Sequence, residues 1–139
     1  MIHIASGYFV YFHDGHKKYL STIQSKMKEG DFLIVIVDNE EQQKLKYGKV
    51  IRNPKDIVDE IKHYLYRSNC VIVSQSTDRT VSADLAELYD CKFYKDGLEY
   101  DKVNLPEKDI CKQNNIEIVL LKNKKIASAS KILGVRKYE

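Results

Sequence analysis

Apolar residues fall along the chain in two rhythms. In Ile2–Ala5, Phe32–Val37, Cys70–Val73, Cys91–Tyr94 and Ile116–Leu121 they occupy nearly every position, over lengths that suit strands. Phe32–Val37 is apolar throughout, the pattern of a strand covered on both faces in a parallel sheet. Between these runs the apolar spacing becomes helical. From Gly15 to Lys28, residues Tyr19, Leu20, Ile23 and Met27 share one face, while Lys17, Lys18, Lys26 and Lys28 lie elsewhere. Glu29-Gly30-Asp31 stops that helix. Asn53-Pro54 reads as an N-cap followed by proline at the first helical position, ahead of a stripe of Ile57, Val58, Ile61 and Leu65. Further helices are expected over Thr80–Tyr89, from Asn104-Leu105-Pro106 to about Asn114-Asn115, and from Ser128 to about Leu133. Asp38–Asn53 is polar and reads as a loop.

Strand and helix alternate five times, which implies right-handed crossovers and an open parallel sheet with helices on both faces. The expected architecture is a Rossmann-like three-layer α/β/α sandwich with a five-stranded parallel sheet. A length of 139 residues suits one domain spanning 1–139, large enough to bury a core without disulfide staples. In such sheets ligands bind beyond the carboxyl ends of the strands, where strand order reverses. Chemistry is therefore expected in the loop after the first strand, Ser6–His16. Neither GxGxxG nor GxxxxGK[ST] occurs, which argues against dinucleotide oxidoreductases and P-loop enzymes.

Charge and cysteine content narrow the setting. The formal net charge is +3 and the charges are scattered, so a nucleic-acid partner is not expected; the basic run Lys122–Lys125 reads as a solvated turn. The apolar runs are too short to span a bilayer. The start, Met1-Ile2-His3-Ile4-Ala5, has no basic region followed by an apolar core and does not read as a secretory signal. Cys70, Cys91 and Cys111 form no CxxC pair and suit buried thiols in a reducing compartment. A cytoplasmic protein without membrane association is expected.

In the first loop, His13 and His16 straddle Gly15 where a helix begins. A helix start offers unpaired N–H groups and the positive end of a dipole. Two imidazole donors beside it would make a cradle for polyphosphate. The same pair also suits ordinary histidines near a turn, or two ligands of a metal whose third ligand is not nearby in sequence.

His13-Asp14-Gly15-His16, following Gly7-Tyr8-Phe9, resembles the HxGH signature of the cytidylyltransferase-like nucleotidyltransferases. The likeness runs along most of the chain. Gly30-Asp31-Phe32-Leu33-Ile34-Val35 resembles the family's GD-x-L-x-V strand, and Asp38–Lys46 its lysine-bearing loop. Tyr94-Lys95-Asp96-Gly97, then Asn104-Leu105-Pro106-Glu107 and Cys111, resemble a segment of one bacterial and viral branch. Ile126–Ile132 resembles the second signature, written ISSTxxR or SSS.

The resemblance implies transfer of CMP or AMP from CTP or ATP to a small phosphorylated polyol or sugar. Pyrophosphate would leave by in-line attack at the α-phosphorus, without a covalent enzyme intermediate. It implies that His13 and His16 hold the triphosphate and stabilise the transition state. Lys44 and Lys46, from a flexible loop, would approach the phosphates or the second substrate. Gly7, Tyr8, Phe9 and Gly15 would line the nucleotide site, and Ser128, Ser130 and Lys131 would bind the β- and γ-phosphates. Mg²⁺ would come with the nucleotide, held by phosphate and water and not by protein ligands. A homodimer is implied by analogy. Arg79, between the third strand and its helix, is a candidate phosphate contact beside the helix-capping Asp78. Four positions depart from the family pattern: Val10 replaces an acidic residue, Val58 an arginine, Leu98 an acidic residue (with Glu99 and Asp101 nearby) and Leu133 an arginine. Each removes a polar group from the expected substrate side, which leaves open a relative that binds nucleotide without catalysing transfer.

Overall fold

The computed structural model describes residues 1–96 and 104–121. Its strands are β1 (Ile2–Gly7), β2 (Phe32–Val37), β3 (Asn69–Val73), β4 (Lys92–Asp96) and β5 (Glu117–Leu121), and its helices α1 (Asp14–Lys26), α2 (Glu40–Tyr47), α3 (Pro54–Tyr64), α4 (Ser82–Leu85) and α5 (Lys108–Gln113). All pairings are parallel, in the order β3-β2-β1-β4-β5. This is the expected α/β arrangement, a five-stranded sheet flanked by helices.

The unbroken apolar runs follow from the two-residue period of a strand. Ala5, Leu33, Val35 and Tyr94 face one buried cluster, with Leu20, Ile23, Ile57 and Ile61 of α1 and α3. Their neighbours Ile4, Ile36 and Phe93 face the other, with Leu85, Leu105 and Cys111. Both faces are covered, so neither needs polar positions. Among the described residues no helix is long and apolar enough to cross a membrane.

Strand order reverses at β1, and the ladder is uneven there. β1 pairs with β2 from Ile2↔Phe32 to Gly7↔Val37, but with β4 only at His3↔Lys92 and Ile4↔Phe93. Beyond Ile4 the two strands part, and the Tyr19 hydroxyl of α1 fills the gap. It donates to the Tyr94 carbonyl at 2.6 Å and accepts from the Ser6 N–H at 3.3 Å. Two backbone groups that the ladder would leave unpaired are thereby satisfied.

Two segments differ from expectation. Asp38–Asn53 is not simply a loop, because it contains α2. Asn39 accepts from the Gln42 N–H at 2.9 Å while Gln42 Oε1 accepts from the Asn39 N–H at 2.9 Å, a reciprocal capping box. The helix ends at Gly48 in the left-handed region, φ 79°. No apolar stripe announces it because its buried residues are Gln42 and Gln43. Gln42 Nε2 donates to the carbonyls of Asp78 and Thr80, and Gln43 holds the backbone of Ile51 and Arg52. Amides pinning loops replace the usual apolar face.

The helix expected over Thr80–Tyr89 shrinks to the single turn α4. Asn114 Nδ2 donates to the carbonyls of Leu85, Ala86 and Leu88, so these carbonyls are engaged by a distant side chain. Asp90 then takes a positive φ of 57°. The helix expected from Asn104 begins only at Lys108. The closing helix from Ser128 lies outside the described residues.

Candidate functional site

The loop joining β1 to α1 is built on burial of Phe9, which adopts φ 51°. The left-handed region costs a bulky residue about 1–2 kcal/mol. Full burial of its ring, at 1% exposure, offsets that strain. Gly7 permits the fold-back, since a Cβ there would meet the Phe9 ring at 3.0 Å. The ring then supports His16 from below, edge to face, with centroids 4.9 Å apart.

His13 is the N-cap of α1. Its Nδ1 accepts from the N–H groups of Gly15 at 3.1 Å and His16 at 3.3 Å. His16 Nδ1 accepts in return from the His13 N–H at 3.4 Å. Two imidazoles thus form a capping box in which serine and glutamate are more usual. The rings stack with centroids 3.7 Å apart and planes 15° apart. With each Nδ1 accepting, each neutral ring carries its proton on Nε2.

Burial, then the charge of His13, holds the His16 pKa down to about 3; the Tyr11 carbonyl pulls the other way and Lys46 adds to the depression. His16 is therefore an uncharged donor at neutral pH. Stacked cations would repel at this distance, whereas stacked neutral rings do not.

α2 separates the two candidate lysines. Residues two apart on a helix point about 200° apart. Lys44 faces solvent and pairs with Glu41 at 3.1 Å. Lys46 turns back to the first loop, its Nζ 4.4 Å from the centroid of the Tyr8 ring and 5.4 Å from that of Tyr47. Tyr8 packs edge-on against Tyr47 at 5.6 Å, and burial pushes the Tyr47 phenol up to about 12. Arg79 is exposed, in a turn tied by Asp78 to Thr80, and its charge is felt at Tyr47.

Thus Gly7, Tyr8, Phe9, His13, Gly15, His16 and Lys46 come together, with Arg79 near the same edge and Lys44 turned away. Ser128, Ser130 and Lys131, like Leu98, Glu99, Asp101 and Leu133, lie outside the described residues. Val10 and Val58 are buried apolar groups, Val10 completely, so the structure puts packing where the family pattern has charge.

Asp38 lies at the same edge, and the motif reading left it without a role. Its backbone N–H donates to the Gly7 carbonyl at 3.0 Å, which fixes it at the carboxyl end of β2 beside β1. Only 5% exposed, its carboxyl is pushed up to about 7, first by burial and further by Glu107 and Asp84, while Lys95 and Lys46 oppose the shift. The available signal was positional: a carboxylate directly after an all-apolar strand stands at the edge where such sheets bind ligands.

The site offers neutral N–H donors at a helix start, an ammonium group and a buried carboxyl. This donor set suits a bound anion. Among the described residues no group of three or more His, Cys, Asp or Glu side chains is placed to hold a metal ion. No protein-family profile matches the chain, and no curated protein matches it in sequence.

Proposed function

We propose that the chain is a nucleotidyltransferase that moves CMP or AMP from CTP or ATP to a small phosphorylated polyol or sugar. The observation that carries the reading is the imidazole capping box at the start of α1, beside the point where β1 and β4 part. Both rings are held by the helix backbone through Nδ1, so their orientation is set before any ligand arrives. Their Nε2–H groups are the donors for triphosphate oxygens, and the first turn of α1 adds its dipole. Donors that need no reorganisation stabilise charge developing on the phosphate oxygens during in-line displacement. An acceptor phosphate is already a nucleophile at neutral pH, so no serine or cysteine nucleophile is required. Lys46, held over the Tyr8 ring, supplies positive charge to the phosphates. Mg²⁺ would come with the nucleotide and would help neutralise the phosphate charge. The resemblance also assigns Ser128, Ser130 and Lys131, outside the described residues, to phosphate binding. The protein works as a cytoplasmic homodimer, without nucleic-acid or membrane partners.

Pyrophosphate release from CTP and ATP, measured across a panel of polyol and sugar phosphates, tests the reading. One productive nucleotide–acceptor pair is expected; absence of nucleotide binding overturns it. Burial of Val10 and Val58 favours a second reading, a nucleotide-binding relative that has lost the acceptor site. Thermal stabilisation by triphosphate with no turnover on any acceptor distinguishes it.

A further inference from the structure

The pose of the His16 ring depends on more than its own hydrogen bond. Its Nδ1 accepts from the His13 N–H at 3.4 Å, beyond the usual reach of about 3.2 Å for an N–H donor. A bond this long orients a ring weakly, so the walls around the ring matter. His13 lies face to face with it, centroids 3.7 Å apart, and Phe9 meets it edge-on at 4.9 Å. Phe12 lies nearly parallel to it, planes 13° apart and centroids 6.2 Å apart. Two of these walls are fixed by their own surroundings. Helix N–H groups hold His13, and Phe9 is buried. Phe12 is only half-buried and needs outside support.

That support comes from α3. The Tyr64 ring meets Phe12 edge to face, centroids 5.3 Å apart, and its hydroxyl donates to the Lys17 carbonyl at 3.2 Å. The Lys17 ammonium lies 5.7 Å from the Phe12 centroid and 6.0 Å from that of Tyr64, a cation–π contact shared by the two rings. One turn earlier on the same face of α3, Glu60 pairs with Arg52, whose guanidinium also donates to the Val10 carbonyl at 3.5 Å. α3 thus reaches the first loop at two points, and they are unequal. The Arg52 and Glu60 side chains are 32% and 43% exposed, and ion pairs so open contribute little. Tyr64 packs against the core that α1 and α3 share, and an edge-to-face aromatic pair adds to what burial alone gives. The family resemblance assigns Tyr64 no role.

We propose that Tyr64 is a positioning residue for His16: its ring edge fixes Phe12, and Phe12 closes the aromatic cage that aims the imidazole. The inference deepens the transferase reading and rests on it only for the effect on catalysis. A caged ring keeps its Nε2–H in one direction, whereas a loosened ring samples other poses and the other tautomer. Misplacing a group by about 1 Å can cost about 10²-fold in rate, and that loss falls on kcat more than on KM.

Nitrogen-15 spectra of the imidazole rings, recorded on the full chain at neutral pH without substrate, read the pose directly. Wild-type His16 is expected as a single Nε2–H tautomer. Tyr64→Leu should average the signals of both tautomers and lower kcat for pyrophosphate release at least about tenfold, with the nucleotide KM changed less than about threefold. Tyr64→Phe keeps the ring edge and loses only the hydroxyl, so it should restore both readouts. Phe12→Leu removes the wall itself and should match Tyr64→Leu; it carries the test should that variant not fold. Ile61→Val, on the same helix but fully buried against the sheet, controls for lost stability and should move neither readout. Unchanged His16 signals in Tyr64→Leu and Phe12→Leu, or equal changes in Ile61→Val, overturn the proposal. Because the spectra need no turnover, the two readings fail separately. Averaged tautomers in Tyr64→Leu, with no pyrophosphate release from the wild type, sink the transferase and keep the brace. Wild-type turnover with unchanged His16 signals in the variants does the reverse.

Discussion

The two ends of the sheet treat buried polar groups in opposite ways. At the amino end, His3 is 2% exposed and both ring nitrogens are engaged, Nδ1 with the Tyr94 hydroxyl at 2.7 Å and Nε2 with Asp31 at 2.8 Å. Its ring stacks on Tyr94, and the strands on both sides of β1 pair with it there. The Lys28 N–H and then His3 hold the Asp31 carboxyl well below the usual range. At the carboxyl end the ladder is open, His16 Nδ1 accepts from the His13 N–H at 3.4 Å, and Asp38 is only 5% exposed at the end of β2. Saturated polar groups fasten a structure, whereas a buried polar group left without a partner costs stability. One molecule holds a histidine engaged through both ring nitrogens and another that caps a helix beside the open ladder.

Replacing each histidine breaks that comparison most directly. His16→Ala is expected to lower nucleotidyl transfer by about 10²–10³-fold, the scale of losing one preorganised donor, in a steady-state pyrophosphate assay. Its stability loss is expected to be small, about 1 kcal/mol, as for a lost helix cap. His3→Ala should do the opposite. It strands a buried tyrosine hydroxyl and opens a cavity, so urea denaturation should show a loss of about 2–4 kcal/mol with kcat unchanged.

The pH dependence of stability sharpens the contrast within the open end. His16 titrates at 6.5 when unfolded and about 3 when folded, so the unfolded chain binds the extra proton between these values. Its contribution rises as pH increases from about 3 to 6.5 and is flat above. Asp38 titrates at 3.8 when unfolded and about 7 when folded, so its contribution falls as pH rises across that window. Each slope reaches about 1.4 kcal/mol per pH unit, and between pH 4 and 6.5 they offset each other. Relative to wild type, Asp38→Asn should become more stable with rising pH in that range, and His16→Ala less stable. Denaturation midpoints at half-unit pH steps measure both; parallel curves for all three proteins would contradict the assignment.

Lys44 and Lys46 provide a smaller test on one helix. Lys46→Ala should weaken triphosphate binding several-fold, whereas Lys44→Ala, which removes only an exposed pair with Glu41, should leave it nearly unchanged. The smallest effect concerns Gln24, fully buried on α1 with neither amide atom hydrogen-bonded. This unsaturated group lies in the helix interior among Leu20, Ile23 and Met27, away from the imidazoles that cap its start. Gln24→Met is expected to raise stability by about 1 kcal/mol, a shift of a few degrees in Tm, without changing nucleotide binding.

Much of this fold was legible in the order of residues. Strands apolar at every position require a sheet covered on both faces, and intervening helical stripes require parallel crossovers. Asn53-Pro54 marked the start of α3, and Gly15 between two histidines marked the start of α1. These signals are local, set by backbone period and by caps that act over three or four residues. The HxGH pair, Tyr8, Phe9 and Lys46, grouped by the resemblance, are brought to one edge by the fold. What the linear order did not disclose depends on partners far apart in the chain. α2 was hidden because its inward face consists of glutamines bound to loops near residues 51 and 80. α4 was cut to one turn by the side chain of Asn114. The same helix that carries Lys46 to the first loop turns Lys44 to solvent. A carboxyl at position 38 was visible in the sequence, but not that it would be buried at the sheet edge with its pKa raised. Local periodicity set the elements; the satisfaction of buried polar groups, which is a property of the assembled tertiary structure, decided where the molecule stays open.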